Sequence, residues 1–202
     1  MKCVFCGEDA IYKCGVCGKT VCGKHSKLRV VCSSCLRKGQ IRPKITKATS
    51  EEEKTQIREL VKRFWGEEEQ LTFDERFNVA DLPAFVAKTD ESIAGFASFV
   101  ETDDTAILVA LGIPPQYQDS GIGRDLVTMV EAEAKKLKKK RLLVSTSNDD
   151  LPALGFYQAL GFQIFDVKPD IIAEKHGGLV SGIGGLPVRD GIRLQKTLRP
   201  SH

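Results

Sequence analysis

From about residue 49 onward, the chain alternates between apolar runs of two periods. The stretch "TSEEEKTQIRELVKRFWG" (49–66) places Ile57, Leu60, Val61 and Phe64 at helical spacing, which predicts an amphipathic helix. Thr49 or Ser50 can cap it, Ser50 with Glu53 fits a capping box, and Gly66 stops it. "FDERFNVADLP" (73–83) shows neither period and reads as irregular or as a short helix. "PAFVAKTD" (83–90) and "SIAGFASFVETD" (92–103) are apolar runs bounded by acids and turn residues, which predicts a hairpin. "TAILVALGI" (105–113) is apolar throughout and predicts the most buried strand. A helix follows over "GIGRDLVTMVEAEAKKLKKK" (121–140), then a strand over "RLLVSTSND" (141–149). "LPALGFYQALG" (151–161) predicts a short helix, with Pro152 at a tolerated first-turn position. "FQIFDV" (162–167) and "GIRLQKTL" (191–198) close as strands; in the last, Ile192, Leu194 and Leu198 alternate with Arg193, Gln195 and Thr197. A meander therefore runs into strand–helix–strand–helix–strand. The expected class is α/β (α+β), with a mixed central sheet flanked by helices.

Residues 1–38 follow another logic. All seven cysteines lie before residue 36. Cys3/Cys6, Cys14/Cys17, Cys22/His25 and Cys32/Cys35 form four pairs, each with two intervening residues. Eight ligands make two closed tetrahedral zinc sites. A segment of this size with few large apolar side chains cannot build a core unaided, so metal binding supplies its folding energy. The organisation expected is a zinc module over 1–38, a linker or first strand over 39–48, and a cysteine-free domain over 49–202. Neighbouring pairs could share a metal, or alternate pairs could. The loops between pairs resemble those of cross-braced HIT and B-box zinc fingers. That resemblance implies Cys3, Cys6, Cys22 and His25 on one zinc, and Cys14, Cys17, Cys32 and Cys35 on the other.

Charge sharpens the division. Residues 1–47 hold eleven Lys/Arg against two Asp/Glu, a net +9, which leaves −6 for the rest of a chain of total +3. Seven zinc-bound thiolates and two Zn²⁺ would reduce the basic part to about +6. Such a module can dock protein or RNA. Only Phe5 and Tyr12 offer stacking surface there, so protein docking or a structural role stands beside nucleic acid. No apolar run reaches the ~18–20 residues of a membrane span, and "MKCVFCGEDA" has no apolar signal segment. With cysteines spaced for metal rather than disulfides, a cytoplasmic protein without membrane contact is expected.

The chemistry concentrates at "GIPPQYQDSGIGRDLV" (112–127), a Gly-rich turn between strand and helix. A Walker loop would need GxxxxGK[ST], and no such lysine follows Gly121. A dinucleotide fingerprint would need a third glycine where Leu126 stands. Free N–H groups of Gly121, Ile122, Gly123 and Arg124 at a helix N-terminus nevertheless suit a pyrophosphate. Gln118, Asp119, Ser120, Gly121, Ile122 and Gly123 match the Q/R-x-x-G-x-G/A signature of the GNAT N-acetyltransferases. Further on, "STSNDDLPALGFYQALGF" (145–162) resembles that family's second cofactor region. The two motifs occur in the family's order.

The resemblance implies an acetyl-CoA-dependent N-acetyltransferase that moves acetyl to an amine by direct attack. It implies that "TAILVALGI" splays from "RLLVSTS", and that backbone groups of Leu111 and Ile113 pair with the pantetheine arm. It puts Tyr157 at the general-acid position and Asn148 at the start of the second cofactor motif, although Asn148 also suits a helix cap. Many family members carry a Glu on the strand before the turn; here that strand is apolar. Glu101, Asp103, Asp104, His176 and a water relay remain as base candidates. The alternative is a non-catalytic acyl-CoA sensor whose zinc module engages RNA or protein. "KKLKKKR" (135–141) reads as a helix end favoured by the dipole, and "HGGLVSGIGG" (176–185) as a Gly-rich loop on the substrate side.

Overall fold

The structure is a computed structural model that describes residues 1–10, 12–13, 19–22, 43–89 and 92–198. The chain divides into two compact units, Met1–Arg42 and Pro43–His202. In the first, strand β1 (Tyr12–Lys13) pairs antiparallel with β2 (Thr20–Val21). Cys3, Ala10, Val21 and Cys22 form a small buried cluster. Cys14, Cys17, His25, Cys32 and Cys35 lie outside the described residues.

In the second unit, β3 (Lys44–Lys47) is followed by α1 (Glu51–Trp65). The hairpin β4 (Glu69–Thr72) and β5 (Glu75–Asn78) comes next. Then run β6 (Ala84–Lys88), β7 (Ile93–Glu101) and β8 (Thr105–Gly112). Helix α2 (Ile122–Lys136), β9 (Arg141–Ser147), α3 (Leu151–Ala159) and β10 (Gln163–Lys168) follow. The short α4 (Ile171–Lys175), the two-residue strands β11 (Val180–Ser181) and β12 (Pro187–Val188), and β13 (Gly191–Thr197) complete the unit.

Seven strands form one sheet in the order β10-β13-β9-β8-β7-β6-β3. Only β8 and β9 are parallel, because the α2 crossover joins them; every other pair is antiparallel. The mixed α/β sheet is thus as expected. Its two faces separate the core. Phe85, Ala97 and Leu108 pack with Ile122, Leu126 and Val130 of α2 and with Tyr157. Val86, Phe96 and Ala110 pack with Ile57 and Val61 of α1. Alternation along β6 and β7 sends neighbouring residues to opposite helices.

The stretch 73–83, expected as irregular chain or a short helix, divides: a turn of 3-10 helix forms at Val79–Asp81, but Glu75–Asn78 is the second strand of a hairpin that begins at Glu69. Its two-residue turn, Phe73 and Asp74, has φ of 50° and 68°. Such primed turns are normally announced by Asn-Gly or Asp-Gly, and this one is not. Within 176–185, the chain also forms β11 and a turn of 3-10 helix (Ile183–Gly185). Among the described residues, no helix is long and apolar enough to cross a membrane.

Candidate functional site

The site begins where β8 leaves its neighbours. Its parallel pairing with β9 runs from Thr105↔Arg141 to Leu108↔Val144 and stops there. On the other side, Ser98 pairs with Ala110 and Phe99 with Leu108, so Val109 is an extra, bulged residue. A bulge bends its strand and adds twist. From Val109 onward, β8 therefore parts from β9, although β9 continues to Ser147. The backbone edges of Leu111 and Ile113 lie along this opening, on a wholly apolar strand.

The chain then passes a 3-10 turn (Pro115–Tyr117) and enters α2. Gln118 Nε2 donates to the Ile113 carbonyl at 3.1 Å, and Ser120 Oγ donates to the Tyr117 carbonyl at 2.5 Å. These two side chains brace the turn. Asp119 has φ of 61° and Gly121 φ of 95°. Gly121 is the N-cap of α2, and no side chain caps the helix there. Among the described residues, the N–H groups of Gly121, Ile122, Gly123 and Arg124 find no partner, and the Arg124 guanidinium makes no ion pair. A Cβ added at Gly121 would meet nothing within 4 Å, so the space beside it is open. At Gly123 a Cβ would come within 3.3 Å of the Phe156 ring. One glycine thus serves backbone conformation and the other serves the close contact of α2 with α3. Four unbonded donors, a helix dipole and the Arg124 cation suit this helix start to an anion, although Asp119 and Asp125 put two carboxylates in the same turn and first helical turn.

Tyr157 sits on α3, buried, with its ring edge-on to Phe156 at 5.2 Å and to Phe162 at 5.6 Å. Burial, with the Asp150 carboxylate as a second cause, pushes its phenol well above the usual range. The group is therefore a neutral phenol, with an O–H to donate. Asn148 does not stand free beside the opening. Its Nδ2 donates to the Pro187 carbonyl at 2.8 Å, and its Oδ1 accepts from the N–H groups of Arg189 at 2.8 Å and Asp190 at 2.9 Å. The side chain thus ties the end of β9 to the segment entering β13. It is not the cap of α3 either: Asp150 is, accepting from Ala153 N–H at 3.0 Å. Burial holds the Asp150 carboxyl above its ordinary value.

The base candidates separate from this site. Glu101, Asp103 and Asp104 lie at the β7–β8 turn, where β8 begins, and the opening lies where it ends. Eight strand residues place them roughly 25 Å away. Glu101 pairs with Lys139 and Asp104 with Lys140. His176 is the exposed C-cap of α4. Sequence reading missed Asp149, which is 5% exposed and accepts from Ile183 N–H at 2.9 Å. It also missed Arg193, which bonds Asp74 at 2.6 Å and Asp166 at 3.3 Å. Neither has a local sequence signal, since both partners lie far along the chain.

In the first unit, the sulfurs of Cys3, Cys6 and Cys22 lie within 4.8 Å of one another, and Cys6 Sγ is 3.7 Å from Cys22 Sγ. Tetrahedral zinc with Zn–S of about 2.3 Å separates its sulfurs by about 3.8 Å. Burial opposes ionisation of Cys3, but backbone N–H groups of Cys22, Phe5 and Cys6 draw its thiol down to about 6. Three sulfurs this close are of a size to hold one zinc ion, which takes a fourth ligand as well.

Comparison with known proteins agrees with the second unit. The sequence profile of the acetyltransferase (GNAT) family matches residues 51–162. The uncharacterized protein YdhI of Bacillus subtilis (strain 168) is 28% identical over 143 residues, covering 67% of this chain and 87% of its own length. The solved IAA acetyltransferase from Bacillus cereus ATCC 14579 superposes with a TM-score of 0.64 at 24% identity, over 77% of this chain and all of its own. A GNAT family acetyltransferase from Elizabethkingia anophelis, solved with acetyl-CoA bound, gives 0.58 at 20% identity, over 78% of this chain and 99% of its own. At such identities the structural likeness concerns the fold.

Proposed function

The chain belongs to the GNAT acetyltransferase family, and on that premise we propose that it moves an acetyl group from acetyl-CoA to an amine by direct attack. The observation that carries this is the set of four unbonded N–H groups at residues 121–124, directly after a strand that has lost its neighbour. The N–H groups and Arg124 hold the pyrophosphate. The pantetheine arm lies in the opening as an added strand, paired with backbone of Leu111 and Ile113. One of those N–H groups polarises the thioester carbonyl. The amine forms the new C–N bond, the C–S bond breaks, and Tyr157 gives its proton to the departing sulfur while the amine's proton passes to water, which reprotonates the phenol. Asn148 we assign to holding the 187–190 segment, not to the cofactor.

The three sulfurs of Cys3, Cys6 and Cys22 support a structural zinc completed by His25, the grouping of the cross-brace. Cys14, Cys17, Cys32 and Cys35 would hold the second ion. The basic module would then recruit or position a protein or RNA carrying the acceptor. Metal analysis should return two Zn²⁺ per chain; chelation should unfold the module and leave acetyl-CoA affinity unchanged. One Zn²⁺ or none would remove this assignment.

Zinc-loaded protein with labelled acetyl-CoA and a lysate tests the transfer. Label in protein, RNA or small molecules establishes the reaction and the acceptor class. The carboxylate-free β8 favours the sensor alternative, and binding of acetyl-CoA without label in any fraction would decide for it.

A further inference from the structure

Five buried side-chain atoms among the described residues lack a hydrogen-bond partner, and four of them are Gln70 Nε2, Thr72 Oγ1, Asn78 Oδ1 and Ser98 Oγ. Buried polar groups are normally paired, so such a group of them calls for a partner from outside the chain, ordered water or a ligand. Three belong to the hairpin β4–β5. Ser98 lies opposite Ala84 and Ala110, both in the core beneath α1, so its hydroxyl is on the α1 face of the sheet. Thr72 is 5% exposed and Ser98 0%. Gln70 pairs with Phe77 and Thr72 with Glu75, which puts Gln70 and Thr72 on one side of the ribbon.

The hairpin is a strap across the sheet. Near its base, Arg58 and Lys62 of α1 hold Glu68. At its tip, Arg193 of β13 bonds Asp74 and lies over the Phe73 ring at 5.1 Å, and Phe73 stacks on Phe165 at 6.4 Å. Arg193 pairs with Ser145, one residue past the last β8–β9 pair. Leu194 faces the core beneath α2, so Arg193 and the tip are on the α1 face. The strap, which lies against β8, thus crosses the place where β8 and β9 part, on the face opposite the α2 anion site. Its tip is strained, since Phe73 is a bulky residue at φ 50°. The contacts of Arg193 and Phe165 offset that cost.

We propose that the strap roofs the acceptor site, and that Gln70 and Thr72 above and Ser98 below bind neutral oxygen atoms next to the acceptor's amine, as in the first amide of a peptide with a free α-amine. This rests on the amine-acetyltransferase reading. The groups offered are an amide N–H and two hydroxyls, with no carboxylate among them. A polyamine brings only N–H donors and positive charge, so it would leave Gln70 Nε2 unpaired. The cofactor then enters from one face of the sheet and the peptide from the other.

The test uses the full zinc-loaded chain with Gln70→Leu and Thr72→Val. The probes are a library of free-N-terminus peptide amides and spermidine, followed by CoA release, with acetyl-CoA affinity and Tm measured alongside. Expected are turnover on peptides, a peptide KM raised about tenfold or more in each variant, unchanged acetyl-CoA affinity, and a Tm at or above that of the parent. The Tm reports on role: removing an unpaired buried polar atom does not destabilise, while removing a structural one does. Preference for spermidine, an unchanged peptide KM, or a lowered Tm would each overturn the proposal and leave the transferase reading intact. Acetyl-CoA binding with no CoA release on any amine would overturn both.

Discussion

Helices α1 and α2 have the same length, fifteen residues, and opposite beginnings. At α1, Ser50 Oγ accepts from Glu53 N–H at 3.2 Å, and Glu53 Oε2 accepts from the N–H groups of Ser50 at 3.0 Å and Thr49 at 2.7 Å. Lys88 of β6 closes the network on Glu53 Oε1 at 2.5 Å. At α2 no side chain caps the helix: its N-cap is a left-handed glycine, and the first N–H groups have no partner among the described residues. Helix α3 is capped by Asp150. A helix start that contributes only to the fold satisfies its own donors; one that leaves them free keeps them for a ligand. The short α4 also lacks a side-chain cap, but its Ile172 and Ala173 N–H groups donate to the Arg189 carbonyl; α2, whose first residues carry the family signature, has no such substitute.

The largest test breaks α2. Gly121→Glu forces a side chain into a left-handed position and sets a carboxylate where the pyrophosphate belongs. Acetyl-CoA affinity should fall by on the order of 3 kcal/mol, about 100-fold, in calorimetry. Unchanged affinity would move the phosphate site elsewhere. Tyr157→Phe comes next. Turnover should fall about 100-fold with acetyl-CoA affinity intact, because the phenol acts only on the leaving sulfur. An unchanged rate would make Tyr157 a core aromatic.

Gly121→Ala separates conformation from charge. It adds no charge and meets no atom, so it should cost about 1 kcal/mol from φ alone, roughly fivefold in affinity. The smallest effect belongs to α1. Glu53→Gln should lower stability by about 1 kcal/mol, a Tm loss of about 2–4 °C, and leave acetyl-CoA affinity unchanged. It should also change the acid limb. Lys88, then the Ser50 and Thr49 N–H groups, hold the Glu53 carboxyl down to about 2. Its folded value is below its unfolded one, so its stabilisation is full above the unfolded value of about 4.3 and is lost as pH falls from there toward 2. The parent should therefore lose stability over that window more steeply than Glu53→Gln. Parallel acid limbs would mean that the network contributes nothing.

The pattern of apolar residues was enough for α1 to α3, for β6 to β10 and for β13, because each is a local period or a local cap. The capping box of α1 and the glycine entry of α2 were legible for the same reason: their partners lie within a few residues. The hairpin β4–β5 was not. Its turn is Phe73 and Asp74; aspartate tolerates positive φ but a bulky phenylalanine does not, and the pair is held there by Arg193 from 119 residues away. The partners of Asn148 were not legible either, since they come from 187–190.

Local chemistry along the chain thus determined helices α1 to α3, the strands of the large sheet, the glycine-opened turn before α2 and the cysteine pairs. It did so because periodicity, caps and short-range ligand spacing act over a few residues. Tertiary structure alone decided where β8 and β9 part, that the apolar "AILVALG" borders an opening, and which buried polar atoms stay unpaired beneath the strap. Those features depend on register between strands and on contacts across the sheet, and no run of adjacent residues encodes them.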